Sequence, residues 1–159
     1  MTIQANDTIP AVDVKIVKNG ETSDISTYEL FESGKTVLFG VPGAFTPTCS
    51  QAHLPGFVVQ ADELKNKGVD QIICMSVNDA FVMKAWGDAS NAEAITMLAD
   101  GNGDFSKALG LELDASAAGM GQRCKRFAMI IENNQVRAVF VEEPKQFEVS
   151  KAEYVLSQL

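Results

Sequence analysis

The stretch Thr36-Val37-Leu38-Phe39-Gly40-Val41-Pro42-Gly43-Ala44-Phe45-Thr46-Pro47-Thr48-Cys49-Ser50 decides the fold of this chain. Its first six residues form an apolar run bounded by turn formers, the pattern of a strand buried on both faces of a sheet. Pro42 and Gly43 end that run, and a helix is expected to begin near Pro47. A buried strand, a tight turn and a helix in succession make an α/β unit. Cys49 then falls in the first helical turn, at the C-terminal edge of the strand, where binding sites of α/β sheets collect.

Gln71-Ile72-Ile73-Cys74-Met75-Ser76-Val77 reads as a second buried strand. Phe127–Ile131 and Val136–Val141 read as a third and a fourth, and the polar break Glu132-Asn133-Asn134-Gln135 between them reads as a hairpin turn. The helix after the first strand is expected from about Pro47 to Lys67. Phe57, Val58, Ala61 and Leu64 form its apolar stripe, and Pro55 should kink or interrupt it near Leu54. Asp79 looks like the cap of another helix carrying Phe81, Val82, Ala85 and Trp86. A last helix is expected over Ser150–Leu159, with Ser150 as its cap and Glu153 completing a capping box. The sum is an α/β sandwich with a mixed sheet, a single domain spanning 1–159.

Composition removes several functions. With 159 residues and 46% hydrophobic content the chain can bury a substantial core. Its formal net charge of -8 opposes binding to nucleic acid or to an anionic membrane surface. The three cysteines, Cys49, Cys74 and Cys124, are an odd number and contain no CxxC pair, which removes a closed disulfide scaffold, a zinc ribbon and a thioredoxin dithiol. Met1–Asp7 has neither the basic nor the apolar region of a signal peptide, so a reducing cytoplasmic location is expected. Asp100-Gly101-Asn102-Gly103-Asp104 imitates the start of a calcium loop, yet Phe105 stands where Gly is required and Leu111 where Glu is required. No metal site is expected.

By position alone the thiol at 49 is either a small apolar filler or the group that carries the chemistry. A free thiol with a pKa near 8.5 is only about 3% ionised at neutrality, whereas a pKa of roughly 6 makes it about 90% thiolate. That difference corresponds to about 3.4 kcal/mol. A helix terminus contributes ~0.3–1 kcal/mol, or up to ~2 kcal/mol when partly buried. A second cation is needed, and Arg123 and Arg126, just before the third strand, are the candidates.

Pro42, Thr46 and Cys49, in the pattern Pro-x-x-x-Thr-x-x-Cys, resemble the active-site signature of the peroxiredoxins, thiol peroxidases on a thioredoxin-like fold. The longer string Pro42–Ser50 with His53-Leu54-Pro55-Gly56 is similar to the type II (five-type) subfamily, and to the peroxidase portion of bacterial peroxiredoxin–glutaredoxin hybrids. The similarity continues through Val77-Asn78-Asp79, Trp86, Ala99–Gly103 and Arg123–Phe127.

The resemblance implies that Cys49 attacks a peroxide oxygen and becomes a sulfenic acid, releasing water or an alcohol. Thr46 would hydrogen-bond the peroxide, Pro42 would shield the thiolate, and the Cys49 backbone N–H would be a further donor. Arg126 is the implied catalytic arginine, because in the family that arginine lies six residues before the acidic end of its strand, here Glu132. Arg123 is either its supporting partner or a solvated surface arginine, and His53 and Phe45 are implied to line the pocket. Cys74 is the candidate resolving thiol, although a strand-interior cysteine is by itself a packing residue, and Cys124 has no implied role. Pro144–Leu159 contains no resolving cysteine, so a one-cysteine mechanism is expected, reduced by glutathione with glutaredoxin or by thioredoxin. A homodimer without metal, flavin or haem is expected.

Two other readings fit parts of the pattern. A Cys–His acyl-transfer enzyme would use His53 as its base, and a redox sensor or holdase would be oxidised at Cys49 without cycling. Neither accounts for Thr46 and Pro42.

Overall fold

The computed structural model describes residues 1–159. In chain order it contains β1 (Asp13–Lys18), β2 (Glu21–Ser26), α1 (Thr27–Phe31), β3 (Lys35–Gly40), a π-helical turn (Cys49–His53), α2 (Leu54–Val59), α3 (Ala61–Asn66), β4 (Gln71–Ser76) and α4 (Ala80–Ala89). There follow β5 (Thr96–Ala99), α5 (Asp104–Leu109), β6 (Glu112–Asp114), a 3-10 turn (Ser116–Ala118), β7 (Gln122–Cys124), β8 (Phe127–Glu132), β9 (Gln135–Val141) and α6 (Ala152–Ser157).

Seven strands form one sheet in the order β2-β1-β5-β4-β3-β8-β9, and β6 pairs with β7 separately. The inner strands β3, β4 and β5 are parallel, while β8 and β1 flank them antiparallel, so the sheet is mixed. Successive side chains of a strand point to opposite faces, and both faces are covered here, which is why the apolar runs are nearly unbroken. Val37, Phe39, Ile72, Cys74, Ala128 and Ile130 supply one core, shared with Cys49, Phe57, Trp86 and Val155. Leu38, Ile73, Met75, Phe127, Met129 and Ile131 supply the other, with Phe31, Phe105 and Cys124. Gly40 pairs with Phe127 across β3 and β8, and a side chain at 40 would occupy the space of the Phe127 ring. That close approach is why the apolar run tolerates a glycine.

The expected strands and the hairpin are present. Asn133 and Asn134, both at positive φ (51° and 66°), make the tight turn between β8 and β9. Asp79 caps α4, its carboxylate accepting from the Val82 N–H at 2.8 Å. The helix from Pro47 is interrupted near Leu54, as Pro55 leads one to expect, and it does not run on as a single helix to Lys67. It widens to a π-helical turn over Cys49–His53, where the Leu54 N–H donates to the Cys49 carbonyl, and it is interrupted again at Gln60. Pro55 has no N–H to give, and the change of register immediately before it accommodates that loss. Ser150 does not cap the last helix. Lys151 holds that position, while Ser150 is buried and its hydroxyl donates to Glu142 Oε2 at 2.7 Å. A buried carboxylate competes better for that hydroxyl than helix N–H groups do.

Candidate active site

Three segments meet at Cys49: the turn after β3, the loop Lys125–Arg126 before β8, and the loop after β9. The first turn of the helix begins with Pro47 and Thr48, so Cys49 stands at its start, and the Ser50 N–H donates to the Thr46 carbonyl at 2.9 Å. Trp86 of α4 anchors this turn from below, its indole N–H donating to Ser50 Oγ at 3.0 Å. Cys49 itself is fully buried.

Arg126 reaches the sulfur. Its Nη2 donates to Cys49 Sγ at 3.1 Å, and its Nη1 lies 2.9 Å from His53 Nδ1. The other ring nitrogen, Nε2, lies 3.0 Å from the Ser150 carbonyl oxygen. A carbonyl can only accept and a guanidinium can only donate, so the polarity of both bonds is fixed. His53 carries its proton on Nε2, leaves Nδ1 bare, and is neutral. Burial, reinforced by the Arg126 charge, lowers its pKa from 6.5 to about 3. Phe147 completes the setting, with its ring 5.0 Å from that of His53 and the Arg126 guanidinium carbon 5.8 Å from its centroid.

The remaining candidates are distributed around this centre. Thr46 Oγ1 donates to the Gly43 carbonyl at 2.6 Å, which fixes the hydroxyl proton and leaves the oxygen lone pairs free to accept. Arg123 is not at the thiol. Its Nε donates to Met120 O at 2.9 Å and its Nη1 lies 3.5 Å from Pro42 O, so it ties down the proline turn. A cavity of about 620 Å³ opens beside the site, and Pro42, Thr48, Arg126, Met120, Val141 and Phe147 are among its walls. Phe45 is not brought to it. The residue sits at φ 64°, is 55% exposed, and lies 6.5 Å from the Trp86 ring on the other side of the turn.

The two other cysteines are held as thiols. Cys74 lies inside β4, where burial, followed by the neighbouring sulfurs, pushes its pKa well above the usual value. Cys124 faces the opposite core, donates to Val41 O at 3.1 Å, and is pushed up to about 12 by burial and then by the Asp100 charge. The acidic string 100–104 has a structural task. Asp100 accepts from Phe105 N, Ser106 N and Ser106 Oγ at the start of α5.

Sequence reasoning missed Glu142, Ser150 and Phe147 as neighbours of the site. Glu142 stands beside Glu143 and reads as one of two solvated charges, although one is buried and the other exposed. No periodic signal separates them. The geometry also bears on acid–base chemistry. Both nitrogens of His53 are engaged, neither with the sulfur, so the ring cannot act as the base of a Cys–His hydrolase in this arrangement.

The comparisons with known proteins agree with the fold and the thiol chemistry. The Redoxin family model matches residues 4–156. Peroxiredoxin-2D of Arabidopsis thaliana is 45% identical over 159 residues, covering 99% of this chain and 98% of the relative. Peroxiredoxin-2C of Oryza sativa subsp. japonica is 52% identical over 136 residues, covering 85% and 84%. Reduced Prx3 from Vibrio vulnificus, solved in complex with H2O2, superposes with a TM-score of 0.94 at 54% identity, covering 99% of each chain. The chain belongs to the type II peroxiredoxins, thiol-dependent peroxidases of thioredoxin-like fold.

Proposed function

We propose that Cys49 is the peroxidatic thiol and that the enzyme runs a one-cysteine cycle on hydrogen peroxide and alkyl hydroperoxides. The observation that carries this reading is the 3.1 Å contact from Arg126 Nη2 to Cys49 Sγ. A guanidinium at that distance stabilises the thiolate before the reaction and the oxygen charge that develops during it.

The thiolate attacks the terminal peroxide oxygen along the O–O axis. An S–O bond forms as the O–O bond breaks: the attacked oxygen keeps its hydrogen in the sulfenic acid, sulfur is oxidised by two electrons, and the leaving oxygen takes the O–O bonding pair and a proton from solvent to depart as water or an alcohol. Thr46, whose hydroxyl proton is committed to Gly43, accepts from the peroxide O–H and so orients it. The Cys49 backbone N–H, in the first helical turn, is available as a further donor. Pro42 covers the approach and is braced by Arg123. The resulting sulfenic acid condenses with an external thiol to a mixed disulfide and water. A second thiol then releases Cys49.

Glutathione with glutaredoxin, or thioredoxin, is the proposed reductant, because burial keeps Cys74 and Cys124 protonated and therefore poor attackers. We place the enzyme in the cytoplasm as a homodimer. Phe45, 55% exposed and 6.5 Å from the Trp86 ring, and Phe81, 87% exposed in the first turn of α4, offer apolar surface for a second copy. The test is peroxide consumption with each reductant system. Cys49→Ser is expected to be inactive with both, and retained turnover in that variant would overturn the reading.

A further inference from the structure

Two carboxylates of this chain are buried, Asp100 and Glu142. Asp100 is accounted for by the start of α5, whereas Glu142 lies one residue beyond β9 and has no role in that ladder's side chains. Its Oε2 accepts three bonds, from Glu148 N at 2.6 Å, Ser150 N at 2.9 Å and Ser150 Oγ at 2.7 Å. Its own backbone N–H donates to the Arg126 carbonyl at 3.0 Å.

These bonds close a ring. Arg126 Nη1 donates to His53 Nδ1, His53 Nε2 donates to Ser150 O, Ser150 donates to the Glu142 carboxylate, and Glu142 N donates back to Arg126 O. We propose that Glu142 is a positioning residue for Arg126, setting the aim of the guanidinium at Cys49 through Ser150 and His53. The proposal rests on the reading of Arg126 as the catalytic arginine.

The chemistry of each link dictates the next. An ionised carboxylate only accepts, so it draws both the N–H and the hydroxyl of Ser150 toward itself and holds that residue's orientation. The Ser150 carbonyl then faces Nε2 and selects the tautomer with the proton on that nitrogen. Nδ1 is thereby left as a pure acceptor for one arm of Arg126, and the planar fork of the guanidinium points its other arm at the sulfur. The bond from Glu148 N closes the loop that carries Phe147, whose ring lies near both His53 and Arg126. Without the carboxylate, Ser150 is free to turn, the imidazole loses its orienting partner, and the guanidinium keeps its charge but loses its direction.

The test is a double-mutant cycle on the full chain, read as the second-order rate of Cys49 oxidation by hydrogen peroxide. Glu142→Ala is expected to slow oxidation by about tenfold or more with His53 present, and by less than about twofold in a His53→Leu background, where the link is already cut. Glu142→Gln keeps an acceptor oxygen and is expected to recover to within about threefold of the parent. Should Glu142→Ala or His53→Leu fail to fold, the same cycle is run with Glu142→Gln against Arg126→Lys, where the residual loss of about two- to threefold seen with Arg126 is expected to vanish with Lys. Equal losses in both backgrounds would mean that Glu142 acts independently of the ring, and overturn the proposal. So would an unimpaired Glu142→Ala. A fully active Arg126→Ala would instead sink the catalytic reading on which it rests.

Discussion

His53 Nδ1 accepts a hydrogen bond from Arg126 at 2.9 Å while its Nε2 proton is given to Ser150, so the only histidine of the chain is a buried neutral ring. This has a thermodynamic signature. The folded pKa, about 3, lies below the unfolded value of 6.5. Below pH 6.5 the unfolded chain takes up a proton that the folded chain refuses. The stabilisation is therefore complete above pH 6.5 and is lost progressively as the pH falls toward 3. The slope due to this group approaches about 1.4 kcal/mol per pH unit. Denaturant titrations between pH 6 and 4 are expected to show a steeper acid loss in the parent than in His53→Asn, and equal slopes would contradict the assignment.

The two arginines should separate kinetically. Arg126→Ala removes a donor on the reacting sulfur and is expected to slow peroxide reduction by about 10²–10³-fold, the usual effect of losing one such electrostatic donor. Arg126→Lys should recover little, because an ammonium cannot serve Cys49 and His53 with the same fork. Arg123→Ala loosens the Pro42 turn and is expected to cost less than Arg126→Ala. Stopped-flow oxidation of the three variants checks the order, and a greater loss from Arg123→Ala would reverse it.

Thiol reactivity should be confined to one position. All three thiols are buried, but burial holds Cys74 and Cys124 protonated while Cys49 alone carries a guanidinium on its sulfur, so alkylation of the folded protein followed by peptide mapping is expected to label Cys49 alone. Labelling of all three is expected only after denaturation. Rapid native labelling of Cys74 would reopen its candidacy as a resolving thiol.

The exposed ring of Phe81 tests the proposed dimer. Placing a charge there with Phe81→Glu touches no core residue, yet is expected to shift the sedimentation coefficient from dimer to monomer. An unchanged oligomeric state would move the interface away from this face.

Much of this architecture was legible in the sequence because it follows from short-range rules. The β3 run, the β8–β9 hairpin and the Asp79 cap are each specified by residues within a few positions of one another. The short strand β5 escaped because four residues carry too little pattern. β2 escaped because Glu21–Ser26 has no apolar alternation to detect. At the site, Cys49, Thr46 and Pro42 lie in one local segment, but Arg126 could be chosen over Arg123 only through family resemblance. Which arginine reaches the sulfur depends on the path of the loop before β8, a long-range property. Glu142 and Ser150 were invisible for the same reason: 73 residues separate Arg126 from His53, and a further 97 separate His53 from Ser150.

Peroxide is expected to oxidise Cys49 alone, with the partner thiol supplied by another molecule. Intact-mass analysis after one equivalent of hydrogen peroxide tests it most directly. The expected result is a gain of one oxygen atom, lost on adding glutathione and absent in Cys49→Ser. Loss of two hydrogens, with a peptide joining Cys49 to Cys74 or Cys124, would contradict it.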